Sequence, residues 1–80
     1  MIDNLAIRQS IQSEIILRYG REIDVRDTDH LENDLGLDSL DRVELWLTLE
    51  DDFDVSIPEE EAKTIETVMD CINLVKKYVK

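Results

Sequence analysis

Asp34-Leu35-Gly36-Leu37-Asp38-Ser39-Leu40-Asp41-Arg42-Val43-Glu44-Leu45-Trp46-Leu47-Thr48-Leu49-Glu50-Asp51-Asp52-Phe53 reads as a turn followed by an amphipathic, acidic helix. Gly36 marks the turn. Asp38 and Ser39 are both residue types that favour a helix start, where a side-chain oxygen accepts an otherwise unpaired backbone N–H. If Asp38 takes the cap, Ser39 falls at the first helical position with its hydroxyl pointing outward. A phosphate on that hydroxyl would meet free backbone N–H groups and the positive end of the helix dipole. The plain alternative is that Ser39 is an ordinary cap, and local geometry permits either. On the helical wheel Leu45, Leu49, Phe53 and Trp46 gather on one arc that should face the core. Asp41, Glu44, Asp51 and Asp52 form an acidic arc away from it. Leu40, Val43 and Leu47 flank the acids, either widening the core face or remaining outside as an apolar strip.

Working outward, the remaining signals are also helical. A first helix is expected from Asp3 or Asn4 to Tyr19, stopped by Gly20. Ile7, Ile11, Ile15, Tyr19, Leu5 and Ile16 share one broad face of it. The connection from Gly20 to Leu37 is long, and such connections usually hold a short element or a function. Asp29-His30-Leu31-Glu32 has capping-box-like spacing for a single turn, with Leu31 pinning the loop to the core. Ser56-Ile57-Pro58-Glu59 pairs a Ser with an acid three residues on and sets a Pro between them, a start signal for a short third helix. Thr67-Val68-Met69-Asp70 opens a fourth, with Val68, Ile72, Val75 and Val79 at 4-3-4 spacing. Strand alternation is absent. The expected fold is all-α: a small four-helix bundle with three longer helices, one short one, and a long loop between helices one and two.

Eighty residues make one domain, near the lower size that folds without staples. The lone Cys71 forms no internal disulfide, and no His/Cys cluster offers a metal site. His30 has no second His or Cys near it in sequence and reads as a surface or loop-packing residue. Asp27 and Asp29 fail the calcium-loop pattern, because no Gly follows at the sixth position. No catalytic constellation surrounds Ser39. There is no apolar run long enough to span a bilayer and no signal-peptide pattern. Net charge is −11, and residues 27–62 hold 14 of the 20 acidic side chains against one basic residue, Arg42. That field repels nucleic acid and anionic membranes and attracts basic protein surfaces. By contrast Lys76, Lys77 and Lys80 close the chain, where cations complement the dipole of the last helix.

The stretch from Asp34 to Ala62, ending in Ile57-Pro58-Glu59-Glu60-Glu61-Ala62, closely resembles the acyl carrier protein family. The likeness is dense over residues 31–75 and weak over the first helix, where only hydrophobic spacing matches. In that family the Ser of Asp-Ser-Leu carries a phosphodiester-linked 4′-phosphopantetheine arm taken from coenzyme A. The resemblance therefore implies Ser39 as the attachment point and a phosphopantetheinyl transferase as one partner. It implies a carrier and not an enzyme: the arm's thiol holds acyl intermediates as thioesters and presents them to biosynthetic enzymes of the fatty-acid type. Members have the same bundle architecture, so periodicity and resemblance agree. The expectation is a single acyl carrier domain over residues 1–80, free-standing, cytoplasmic and monomeric, binding neither nucleic acid nor membrane.

In the family the second helix is the general recognition surface. The match carries that role to Asp38, Leu40, Asp41, Glu44, Leu47, Glu50 and Asp51, with Glu59 a weaker candidate, facing acyl-processing enzymes that bear basic docking patches. Family members usually have a smaller aliphatic residue where this chain has Trp46. The interior near an acyl chain is expected to be lined by Trp46, Leu49, Phe53, Ile57, Ala62, Ile65 and Cys71. Two other readings stay open. One is a dedicated carrier of an amino acid or polyketide unit in a specialised pathway. The other is an unmodified acidic helical module that acts only as an interaction subunit, or as an acidic regulator mimicking nucleic acid.

Overall fold

A helix leaves four backbone N–H groups without intrahelical partners at its start, and in this chain side chains at the starts of the longer helices take up some of them. The computed structural model describes residues 3–20 and 22–79, and within them four helices: α1 (Asn4–Tyr19), α2 (Ser39–Phe53), α3 (Glu59–Ala62) and α4 (Val68–Tyr78). Asp3 caps α1 by accepting the Ala6 N–H at 2.9 Å. Asp38 caps α2 and Thr67 caps α4, each in a reciprocal capping box with the acid three residues on, Asp41 and Asp70. Gly20 stops α1 at φ 65°, a left-handed conformation that glycine adopts without steric cost. Among the described residues there is no strand, and the all-α architecture is the one expected. No helix among the described residues is long and apolar enough to cross a membrane.

The core sits where α1, α2 and α4 meet. Ile7, Ile11 and Ile15 of α1, Leu45 and Leu49 of α2, and Val68, Cys71, Ile72 and Val75 of α4 are buried together. The buried stripe of α1 is narrower than its apolar face. Leu5, Ile16 and Tyr19 lie at the stripe's edge and remain exposed, because the main helix contacts of α1, with α2 and α4, cover a narrower arc. On α2 the core arc splits: Leu45 and Leu49 are buried, whereas Trp46 and Phe53 pack against the core from its rim. Val79 is the C-cap of α4 and only half-buried, one turn beyond the fully packed Val75. Lys76 donates to Asn4 at 2.9 Å and Lys77 to Glu61 at 2.6 Å, so these cations also tie α4 to α1 and α3. Lys80 lies outside the described residues.

The long connection is an ordered strap. Val25, Leu31, Leu35 and Leu37 are buried, and Leu31 pins the loop as its sequence implied. The strap is also hydrogen-bonded to the start of α4: Leu31 N–H donates to Glu66 O, Val68 N–H to Asp29 O and Met69 N–H to Asp27 O. Its single turn is capped differently from the expectation. His30, not Asp29, is the cap: His30 Nδ1 accepts the N–H groups of Glu32 and Asn33 at 3.1 Å, and Asp34 accepts the His30 N–H at 2.6 Å. Asp29 is turned the other way, accepting the Arg26 N–H. The start of α3 differs too. Pro58 is its N-cap, no side chain caps it, and Ser56 is exposed. What fixes this entry is Glu50, whose Oε2 accepts the Ile57 N–H at 2.8 Å while Ile57 is buried.

Candidate functional site

Asp38, and not Ser39, caps α2: Asp41 N–H donates to Asp38 Oδ1 at 2.9 Å and Asp38 N–H to Asp41 Oδ2 at 3.1 Å. Ser39 is consequently the first helical residue, and its side chain is exposed and makes no hydrogen bond among the described residues. Gly36, at φ 74°, turns the chain into the helix, and Asp38 keeps an extended backbone from which its carboxylate reaches the N3 amide, so that Ser39 falls inside the first turn.

Beside Ser39 opens a groove of about 190 Å³ between α2 and α3. Ser39, Arg42, Val43 and Trp46 form the α2 wall at i, i+3, i+4, i+7 spacing, which places them on one side of a helix. Glu59, Ala62 and Lys63 form the facing wall, and Ile65 completes the lining. Of the expected acyl-chain residues the structure thus brings Trp46, Ala62 and Ile65 together. Leu49, Ile57 and Cys71 lie in the closed core instead, and Phe53 packs at its rim without reaching the groove. The division has a packing cause: α2 turns Leu45 and Leu49 squarely inward, into a close-packed interior. Arg42, Val43 and Lys63 were missed. The i, i+3, i+4, i+7 spacing on α2 was legible, but the position of α3 that turns it into a wall was not.

The indole of Trp46 has a further property. Its Nε1–H is buried and no protein acceptor reaches it among the described residues. Leaving a buried donor unpaired costs about 1–3 kcal/mol. Arg42 reaches across the groove, Nη1 donating to Ile65 O at 3.4 Å, and among the described residues it pairs with no carboxylate.

The outer face of α2 resolves the ambiguity of its apolar strip. Leu40 is 66% exposed, Leu47 50% and Val43 43%, so these three do not widen the core. Asp38 and Asp51 are exposed, as is Glu59 on α3. Asp41, Glu44 and Glu50 are half-buried and have partners within the chain. Arg18 forms ion pairs with Glu44 and with Glu14. The Tyr19 hydroxyl hydrogen-bonds Asp41, and that bond, with the Asp38 N–H, holds the Asp41 carboxyl below its usual range. Partial removal from water, and then the Asp41 bond, push the Tyr19 phenol up to about 12. In the core, burial pushes the Cys71 thiol up to about 12, with nearby Asp70 adding to the effect. Cys71 is thereby a packing residue with no nucleophilic role at neutral pH.

The arrangement presents a free hydroxyl at a helix start, an adjoining groove and an acidic apolar face. Comparison with known proteins agrees with it. The family model for a phosphopantetheine attachment site matches residues 8–75. Among solved structures, the chain is similar to a protein assigned as an acyl carrier protein from Mycobacterium tuberculosis, with 32% identity, a TM-score of 0.80, and 92% of this chain and 95% of that one covered. It is similar to an acyl carrier protein from Thermotoga maritima at 27% identity and a TM-score of 0.82, over 92% of this chain and 87% of that one. An apo doublet acyl carrier protein from prodigiosin biosynthesis matches at 26% identity and a TM-score of 0.74, over 94% of this chain and 37% of the doublet.

Proposed function

This chain belongs to the family of carrier proteins with a phosphopantetheine attachment site, the acyl carrier proteins among them, and from that premise we propose that Ser39 is its attachment point. Proteins of this kind are carriers, not enzymes, and they hold 4′-phosphopantetheine covalently. When bound, that group supplies a thiol on which an acyl unit is kept as a thioester. The observation that carries the assignment is the division of labour at the α2 start. Asp38 does the capping, so the Ser39 hydroxyl is exposed and uncommitted beside a groove with room for an arm.

Carrier proteins work with a phosphopantetheinyl transferase and with acyl-processing enzymes. The docking surface we read on this chain is the exposed part of α2. Asp38, Asp51 and the flanks of Asp41 and Glu44 steer a basic partner in, and Leu40, Val43 and Leu47 are apolar area for it to bury once docked. Glu59 borders the same side. Glu50, whose carboxylate holds the Ile57 N–H, is a structural member of that helix before it is a recognition residue. The acidic α2 supports a carrier of fatty-acyl type. The likeness to a carrier from prodigiosin biosynthesis supports, as the second reading, a carrier dedicated to a specialised pathway.

Incubation with a phosphopantetheinyl transferase, coenzyme A and Mg²⁺ tests the site. One arm per chain is expected by intact mass, and none on Ser39→Ala. Labelling that persists in the Ala variant overturns the assignment, and a chain that is never labelled is the unmodified interaction module.

A further inference from the structure

The groove beside Ser39 contradicts the charge of the segment around it. Residues 27–62 carry 14 carboxylates and a single cation, Arg42. In such a field a guanidinium is expected to be claimed by a neighbouring acid, yet Arg42 pairs with none among the described residues. Among the described residues its one side-chain hydrogen bond is a long one from Nη1 to the Ile65 carbonyl, which leaves most of its five N–H donors uncommitted there. Lys63 faces it from the opposite wall, held only by an exposed pair with Glu59 at 3.7 Å. Two cations and one carboxylate therefore line a groove set in an acidic surface. Trp46 belongs to the same lining, and its buried N–H has no protein acceptor among the described residues.

We infer that Arg42 is an oxyanion-binding residue, drawing a phosphodiester or carboxylate group into the α2–α3 groove. The inference rests on the reading of Ser39 as the attachment point and deepens it. Ser39 and Arg42 are i, i+3 neighbours on α2, about 5–6 Å apart at Cβ on any helix surface, within reach of a long side chain. A phosphodiester on Ser39 would stand next to the carboxylates of Asp38 and Asp41, and like charges at such spacing repel. The Asp41 N–H is already taken by Asp38 and does not receive it. Arg42 is the groove cation on the same helix as Ser39, placed to offset that repulsion, and its planar fork suits phosphate and carboxylate alike. The oxyanion has two sources: the phosphodiester of the arm itself, or a carboxylate at the end of a dicarboxylic cargo folded back into the groove. Either way Arg42 is a positioning residue that biases the arm toward the α3 side of α2.

The test compares the chain without an arm with the same chain carrying the bare arm, a butyryl arm and a succinyl arm, the last two matched in length and differing in the terminal carboxylate. Intact mass establishes the loading of each. The readout is the water-exchange rate of the Arg42 Nε–H by heteronuclear NMR, identified through its loss in Arg42→Gln, with the phosphorus resonance of the arm followed in parallel. Several-fold slower exchange on adding the bare arm, with a phosphorus resonance displaced in Arg42→Gln and less so in Arg42→Lys, identifies the phosphodiester. Slowing confined to the succinyl form identifies the cargo carboxylate. One rate across all four forms overturns the inference and leaves Ser39 as the attachment point. A mass without an arm, or an arm that survives Ser39→Ala, overturns the Ser39 reading and the inference with it, and is seen before any spectrum is recorded.

Discussion

Arg18, in the last turn of α1, is ion-paired to Glu44 near the middle of α2. The acidic face that should draw in basic partners is thus partly screened by a cation of the same chain. Replacing Glu44 by Lys removes a carboxylate and sets two cations against each other, and association with a basic enzyme should slow. Arg18→Gln should do the reverse, freeing Glu44 and speeding association. Each effect is limited to about fivefold or less, since exposed pairs contribute about 0–1 kcal/mol. Both should shrink as salt rises, because exposed charges are screened beyond about 8–10 Å near physiological ionic strength. Stopped-flow rates across a salt series check this, and variants with rates equal to wild type at low salt would remove α2 as the steering surface.

Neighbouring residues at the α2 start should respond oppositely to truncation. Asp38→Ala loses the half of the capping box in which the Asp38 carboxylate accepts the Asp41 N–H, and should cost about 0.5–2 kcal/mol in urea unfolding. Ser39→Ala loses a hydroxyl with no partner among the described residues, and should leave stability within experimental scatter while abolishing modification. If Ser39→Ala were the more destabilising of the two, the assignment of the cap to Asp38 would be wrong.

Alkaline pH should destabilise the chain through groups that the fold keeps protonated. Cys71 is pushed from an ordinary 9.0 to about 12 by burial, and Tyr19 from 10.0 to about 12 by partial desolvation and the Asp41 bond. A pKa raised by folding means that the folded state binds the proton more tightly. Its contribution is complete below the unfolded value and is lost as pH rises through the folded one. Melting temperature should therefore fall from about pH 9 toward 12, and Cys71→Ala should flatten that fall. At pH 8 a thiol reagent should leave the folded chain unlabelled until urea exposes Cys71. Once the arm is attached, its thiol should be the single site of reaction under native conditions. Prompt labelling of the folded, arm-free chain would contradict the burial of Cys71.

Much of this was legible because it is local. The start of α4 at Thr67-Val68-Met69-Asp70 is set within one turn of chain, and Gly20 stops α1 through its own backbone freedom, whereas the sequence left the cap of α2 open between Asp38 and Ser39. The features that were not legible depend on where distant segments meet. His30 caps a turn because its ring folds over the following two amides, which spacing does not reveal. Tyr19 lies on the apolar arc of α1 by periodicity, yet its hydroxyl is drawn to Asp41 across the helix pair, and it stays at the surface. The groove needs α3 beside α2, so Arg42 and Lys63 could not be read as facing one another, and Leu49, Ile57 and Cys71 could not be told from groove residues.

Trp46 should set the size of cargo that the groove accepts. Its ring forms part of the α2 wall next to Ser39 and packs on the core rim, occupying space that a smaller aliphatic side chain would leave open. Truncating an aromatic residue in a fully packed core costs about 3–5 kcal/mol. Trp46→Val should cost less, because the ring is only half-buried and its removal also removes a buried N–H with no protein acceptor. The variant should therefore fold, with a lower melting temperature than wild type. Loading a series of acyl chains of increasing length then separates a gate from a filler. If the indole blocks the groove, wild type should gain little melting temperature beyond short chains, because a longer chain must displace the ring or stay in water. Trp46→Val should gain progressively more, since each methylene that finds the vacated space is worth about 0.8 kcal/mol when fully buried. Parallel gains for both proteins across the series would make Trp46 a packing residue, and the limit on cargo would have to lie with Ala62 and Ile65 on the other side of the groove.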